Sequence, residues 1–134
     1  MSAANDPYKG WYNGFTMEER RAVNPLLRAA RVEGLLNSPD ECSICGIFQS
    51  VVAPIRMEWH LEDYRDYLRP YPICHRCHWA LHARFERPQR WQFLLAKSPS
   101  DSWVRMLSMD PVSKQRPFDE TYPNGVPQLK SSHT

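Results

Sequence analysis

The sequence predicts a small α+β domain stapled by a metal ion, and three observations carry that prediction. Two C-x-x-C pairs, Cys42/Cys45 and Cys74/Cys77, are separated by 28 residues. Between them, Ile55, Met57 and Trp59 alternate with Arg56, Glu58 and His60, the period-two pattern of a strand with one covered face. On both sides of this region lie segments with helix start and stop signals.

The elements follow in chain order. Residues 1–15 read as a polar, aromatic-spotted lead-in. "TMEERR" opens a helix: Thr16 is a natural N-cap, and Glu19 three residues on completes a capping box. Pro25 keeps that helix short. "NPLLRAARVEG" forms a second, with Asn24 as its cap, Pro25 in its first turn and Gly34 at its end. "IFQSVVAPIRMEWH" reads as a β-hairpin, 47–51 paired with 55–60. "LEDYRDYLRPYP" is a loop. A helix then starts at the second Cys pair, "CHRCHWALHARFE", and another follows in "RPQRWQFLLAK". A short one is expected in "SPSDSWVRMLSMD". Trp59, Trp79, Trp91 and Trp103 are assigned to the core. Residues 110–134, with Pro111, Pro117, Pro123 and Pro127, are expected to run as an extended arm pinned by Phe118 and Tyr122. The single domain therefore spans 16–109, with its core at 42–86.

Length and charge bound the function only loosely. A chain of 134 residues makes one domain, and a net charge of +2 is too mild to imply nucleic acid by itself. Arginine outnumbers lysine 13 to 4, which favours bidentate phosphate contacts and ring stacking over diffuse basicity. The first residues have no apolar run of signal-peptide length, and no stretch approaches a membrane span. The expected setting is the cytoplasm, without a membrane partner. There thiols stay reduced, so four cysteines point to metal rather than to disulfides.

Zinc takes four soft ligands at tetrahedral corners. Each C-x-x-C turn directs two thiolates at one point, so Cys42, Cys45, Cys74 and Cys77 together close a structural zinc shell. His75 or His78 replacing one cysteine is the alternative ligand set. Hairpin followed by helix is the order of a treble clef. A redox C-x-x-C would need a thioredoxin-like βαβ context, which this chain does not show.

With the cysteines saturated, the histidines need a separate account. His78 and His82 are four residues apart on a helix, so both imidazoles share one face. His60 shares the polar face of its strand with Glu58. At this point the sequence resembles the HNH, or ββα-metal, nuclease family, in "CSIC", "EWH" and "CHRCHWALH", over residues 42–85. The resemblance implies a zinc staple and a second divalent ion (Mg, Mn or Ni). It casts His60 as the general base, and His78 and His82 as ligands, with Glu58 or Asp63 completing the shell. Two positions depart from the family pattern. Trp59 stands where a ligand usually precedes the base, and the Asn expected before the second Cys pair is missing.

Arg56, Arg65, Arg69, Arg76 and Arg84 surround this region and would position a phosphate backbone without reading bases. The alternative is that they pair with Glu62, Asp63 and Asp66. Two functions are thus expected. One is an HNH-like zinc protein acting on nucleic acid, DNA before RNA, as a metal-dependent endonuclease. The other is a non-catalytic treble-clef module that binds nucleic acid or a protein.

Overall fold

The structure, a computed structural model, describes residues 6–50, 52 and 54–129. Helix α1 (Met17–Ala22) begins at the anticipated capping box: the Thr16 side chain accepts from the Glu19 amide, and the Glu19 carboxylate accepts from the Thr16 amide. Helix α2 (Asn24–Val32) follows directly, with Pro25 in its first turn. Its N-cap is Val23 rather than Asn24, because the two helices abut and Val23 closes one while opening the other. Gly34 ends the pair in the left-handed region at φ +80°.

The sheet differs from the expected hairpin. Strand β1 (Met57–His60) pairs antiparallel with β2 (Tyr71–Cys74), in the register Met57↔Cys74 to His60↔Tyr71. Among the described residues, 47–50 form no strand. Phe48 makes one isolated bridge to Glu41, which closes the first cysteine turn, and residue 51 lies outside the described residues. Two prolines hide β2 in the sequence. Pro72 is tolerated because its backbone points away from β1, and its carbonyl accepts from the Ser43 amide instead. That bond docks the first cysteine turn onto the sheet.

Strand β2 runs straight into α3 (His75–Ala83), and α4 (Pro88–Ala96) packs against α3. Two single-turn 3₁₀ helices (Trp103–Met106 and Pro111–Lys114) and a final turn, α5 (Phe118–Thr121), complete the order. Trp91 and Trp103 are buried, whereas Trp59 and Trp79 are only half-buried. The core centres on Tyr71, whose ring stacks on Trp103 at 3.8 Å and 9°. Such a pair adds about 0.5–1.5 kcal/mol beyond its buried area.

The described parts of both terminal segments close onto this core. The arm expected to be extended is partly helical, because Pro111 and Pro117 start turns rather than prevent them. Phe118, Tyr122 and Val126 are buried, and the Tyr71 hydroxyl donates to the Pro127 carbonyl at 2.6 Å. The lead-in is structured as well. Tyr12 and Phe15 bridge across a tight turn, with Asn13 at φ +53° and Gly14 at φ +84°. Positive φ at both central residues is what a type I′ hairpin turn demands. Val23, Leu27 and Leu61, flanked by Trp59 and Tyr64, form a second small cluster that sets α1 and α2 over β1. Residues 1–5 and 130–134 of the two terminal segments lie outside the described residues.

Candidate metal centres

Two groups of side chains converge, one on each side of the Cys77–His78 peptide bond. The first holds Cys42, Cys45, Cys74 and Cys77, whose sulfurs all lie within 4.8 Å of one another. Cys42 and Cys45 sit on a tight turn ending at Gly46, φ +77°. The Ile44 and Cys45 amides point at the Cys42 sulfur at 3.4 and 3.5 Å. Cys74 and Cys77 come from the end of β2 and the first turn of α3. No disulfide joins these four. The Cys45 and Cys74 sulfurs stand 3.8 Å apart. Zn–S bonds of about 2.3 Å at tetrahedral angles require sulfurs about 3.8 Å apart, so the group is compatible with a zinc site. A hydrogen bond from Cys77, working against burial, draws Cys42 down to about 4. Burial pushes Cys74 up to about 11.

The second group is His60, His78 and His82. The β1 alternation aims His60 at α3, and the helical spacing places His78 and His82 side by side. His60 Nδ1 lies 3.2 Å from His78 Nε2, which lies 3.1 Å from His82 Nε2. His60 and His82 are buried. Zn–N bonds of about 2.0–2.1 Å at tetrahedral angles place nitrogens about 3.3 Å apart, close to what is found.

Two of the three far nitrogens are held by carboxylates. His78 Nδ1 meets Glu58 Oε1 at 2.8 Å, and His60 Nε2 makes a short contact with Glu62 Oε2. A carboxylate accepts, so each far nitrogen carries the proton, and a neutral imidazole then turns a lone pair inward. Lone pairs at such separations repel unless a cation, proton or metal, lies among them. Burial holds His60 down at about 4 and His82 well below its usual range, so both are neutral at pH 7. Burial works to raise Glu58, but its bonds to His78 and His75 bring it down to about 2.

Glu62 is buried inside a network of its own. The Tyr12 hydroxyl donates to Oε2, and Asn13 Nδ2 donates to Oε1 at 2.8 Å. Behind Tyr12, buried Arg84 donates to its hydroxyl at 3.1 Å and to the Leu81 and Ser108 carbonyls. Tyr8 lies over the outer side of the trio, its ring 5.2 Å from that of His78 and 5.1 Å from that of His82. A cavity of about 170 Å³ opens onto all three histidines, walled by Tyr8, Trp59, Tyr64 and Leu27, with Arg20 and Arg21 beside them.

No family model, curated protein or solved structure matches this chain. The site therefore rests on its own geometry.

That geometry sorts the residues expected from sequence. His78 and His82 converge with His60, whose Nδ1 faces His78 Nε2 and whose Nε2 faces Glu62. Glu58 touches His78 rather than the point of convergence. Asp63 is turned away, its carboxylate held by Arg65 at 2.9 and 3.0 Å. The arginines do not form one phosphate-facing cluster. Arg84 is in the core, where its Nε and Nη1 donate to the Tyr12 hydroxyl and two carbonyls. Arg65 pairs with Asp63 and Asp119, Arg69 with Asp66 and Arg56 with Glu58. Arg76 is exposed on α3. Sequence reasoning missed Glu62, Tyr8, Tyr12, Asn13, Arg20 and Arg21. The signal for Glu62 was available: it lies two residues after His60, although past the end of the strand.

Among the described residues, no helix is long and apolar enough to cross a membrane.

Proposed function

We propose that the chain is a zinc-stapled, divalent-metal-dependent endonuclease of the HNH type, acting on nucleic acid and on DNA before RNA. The cysteine turn, the β1–β2 hairpin and α3 follow the treble-clef order, and in this reading the four cysteines hold a structural zinc. The observation that carries the proposal is the inward convergence of three imidazole nitrogens, two of them backed by carboxylates, at the floor of a cavity. A proton bridges two nitrogens; three converging nitrogens fit a metal.

A divalent ion held there would polarise a phosphoryl oxygen and bring a water toward ionisation near neutral pH. The chain's own residues do the rest. Glu62 and Glu58 keep protons on the far nitrogens of His60 and His78, so the near lone pairs stay aimed inward. His60 is then a ligand rather than the base. Leu61, next to it, is apolar and buried, and it offers no proton acceptor. Leu27 and Trp59 keep bulk water from the walls, and Arg21 supplies positive charge at the exposed edge.

The second reading, a non-catalytic zinc module, is favoured by one observation. Arg84 is buried, and the exposed Arg56, Arg65 and Arg69 each pair with a neighbouring carboxylate, which weakens the case for a long backbone-tracking surface. Metal counting with a plasmid-nicking assay separates the two. The endonuclease should retain one zinc through dialysis, take up a second ion on addition of Mn²⁺ or Ni²⁺, and nick only when that ion is present. The double change His78→Ala, His82→Ala should abolish the second ion and the nicking while keeping the zinc. One zinc, no second ion and no nicking would leave only the binding module. Cys42→Ser should lose the zinc and, with it, the fold that holds the histidines.

A further inference from the structure

Buried polar groups in native proteins nearly always find a partner, so those that do not call for an explanation. Seven side-chain atoms among the described residues are shut off from solvent without one: Tyr8 Oη, Asn13 Oδ1, Ser43 Oγ, Arg84 Nη2, the Trp91 and Trp103 ring nitrogens, and Thr121 Oγ1. Only Tyr8 among these lines the cavity over the three histidines. Its ring rests against His75, His78 and His82, and its hydroxyl meets nothing.

The way Tyr8 is held fits a group kept for a ligand. The backbone bonds of residues 6–9 are local: the Tyr8 amide donates to Asp6 Oδ1 at 2.9 Å, and the Lys9 amide to the Asp6 carbonyl at 3.3 Å. Firm attachment begins at Gly10, φ +95°, whose carbonyl accepts from Arg20 Nη1 at 2.6 Å. That bond, with one to the Tyr64 hydroxyl at 3.1 Å, also occupies much of the Arg20 guanidinium. Arg21, Asn24, the Trp59 ring nitrogen and the Tyr8 hydroxyl are thus the hydrogen-bond donors without a given partner on the residues lining the cavity, and of these only the Tyr8 hydroxyl is shut off from solvent.

We infer that Tyr8 is a substrate-contacting residue whose hydroxyl donates a hydrogen bond to an oxyanion of the phosphate class seated over the three histidines. The inference rests on the metal-centre reading above. A metal, a phenol and an arginine around one small cavity can each meet a separate oxygen of a tetrahedral anion. A carboxylate has only two oxygens to offer.

The test is titration calorimetry of the zinc-containing full chain, first with Mn²⁺ and then with inorganic phosphate, for wild type and Tyr8→Phe. Phenylalanine keeps the ring against the histidines and removes only the hydroxyl. Mn²⁺ affinity should be unchanged, and phosphate binding should weaken about tenfold. In wild-type protein with ¹³C-labelled tyrosine rings, the Tyr8 Cζ resonance should move on adding phosphate and that of Tyr67 should not. This second readout stands even if the variant fails to fold. Equal phosphate affinity in the two proteins, or an unmoved Tyr8 resonance, overturns the inference and leaves the metal centre intact. So does weaker Mn²⁺ binding in Tyr8→Phe, which would make Tyr8 a packing residue. Acetate bound as tightly as phosphate overturns the choice of ligand. No Mn²⁺ bound by wild type overturns both the inference and the reading beneath it.

Discussion

Glu62→Gln removes one negative charge from the buried network and leaves its shape. Glu62 Oε2 accepts from His60 and Tyr12, and Oε1 accepts from Asn13. Glutamine has a single acceptor oxygen. If that oxygen stays with His60 and Tyr12, its NH₂ faces the Asn13 NH₂. Asn13 can answer by turning over its amide, which brings the unpartnered Oδ1 into use but loses the 2.8 Å bond from Nδ2 to the Glu62 carbonyl. In the proposed metal centre, His60 would keep its tautomer but lose the charge that makes it a better ligand. Changes to such outer partners typically weaken metal binding 10–100-fold, or about 1.4–2.7 kcal/mol at about 1.4 kcal/mol per tenfold. Arg84 also loses its nearest buried counter-charge. The two are linked through the Tyr12 hydroxyl, which accepts from Arg84 and donates to Glu62, so a lower melting temperature should accompany the affinity loss. The assay is competition with a chromophoric chelator for the second divalent ion, run well below the variant's melting temperature. Zinc content and circular dichroism should match wild type. A folded, zinc-containing Glu62→Gln protein that binds the second ion as tightly as wild type would refute this account of the network.

Three other substitutions probe separate parts of the molecule. Asp63→Asn should leave second-ion affinity within about twofold, since Asp63 faces Arg65, and should shift stability by no more than about 1 kcal/mol; a tenfold loss of affinity would restore Asp63 as a ligand. Gly14→Ala should destabilise by more than 1 kcal/mol, because a Cβ there would come within 2.8 Å of the Arg116 carbonyl oxygen and φ is +84°. Urea unfolding reads that loss, and an unchanged midpoint would contradict it. Thr16→Ala should cost about 0.5–2 kcal/mol by removing half of the capping box, with both metal contents unaltered; lost metal would mean that α1 does more than roof the cavity.

How legible each part was depended on the range of the interaction that makes it. The Thr16/Glu19 box, Pro25 in the first turn of α2 and the i, i+4 pair His78/His82 are local, and all appear where their spacing places them. The face shared by Glu58 and His60 was also readable from alternation, and both do reach α3. The hairpin partner was not. Tyr71–Cys74 has too short a pattern and too many prolines, and its pairing becomes visible only once Ser43 is seen to take the Pro72 carbonyl. Glu62 and Arg84 looked like solvent-facing charges because nothing nearby in sequence announces that Tyr12 and Asn13, some 50 and 70 positions away, will cover them. The C-terminal prolines were read as barriers to helix when two of them are helix starters.

The buttress behind His60 has a consequence for how the protein is made. Tyr12 and Asn13 leave the ribosome early, His82 and Arg84 much later, and the Ser108 carbonyl that tethers Arg84 later still. Ser108 in turn donates its amide to the Tyr122 hydroxyl at 2.8 Å. A nascent chain that ends at Cys77 already holds all four cysteines, His60 and its Glu62, Tyr12 and Asn13 support, but it still lacks His78, His82 and Arg84. The four-cysteine group therefore needs the chain only as far as Cys77, whereas the three-histidine group needs it as far as His82, and the tether of Arg84 as far as Ser108. Order of emergence thus completes the cysteine group before the histidine group, although Cys77 and His78 are neighbours in the chain.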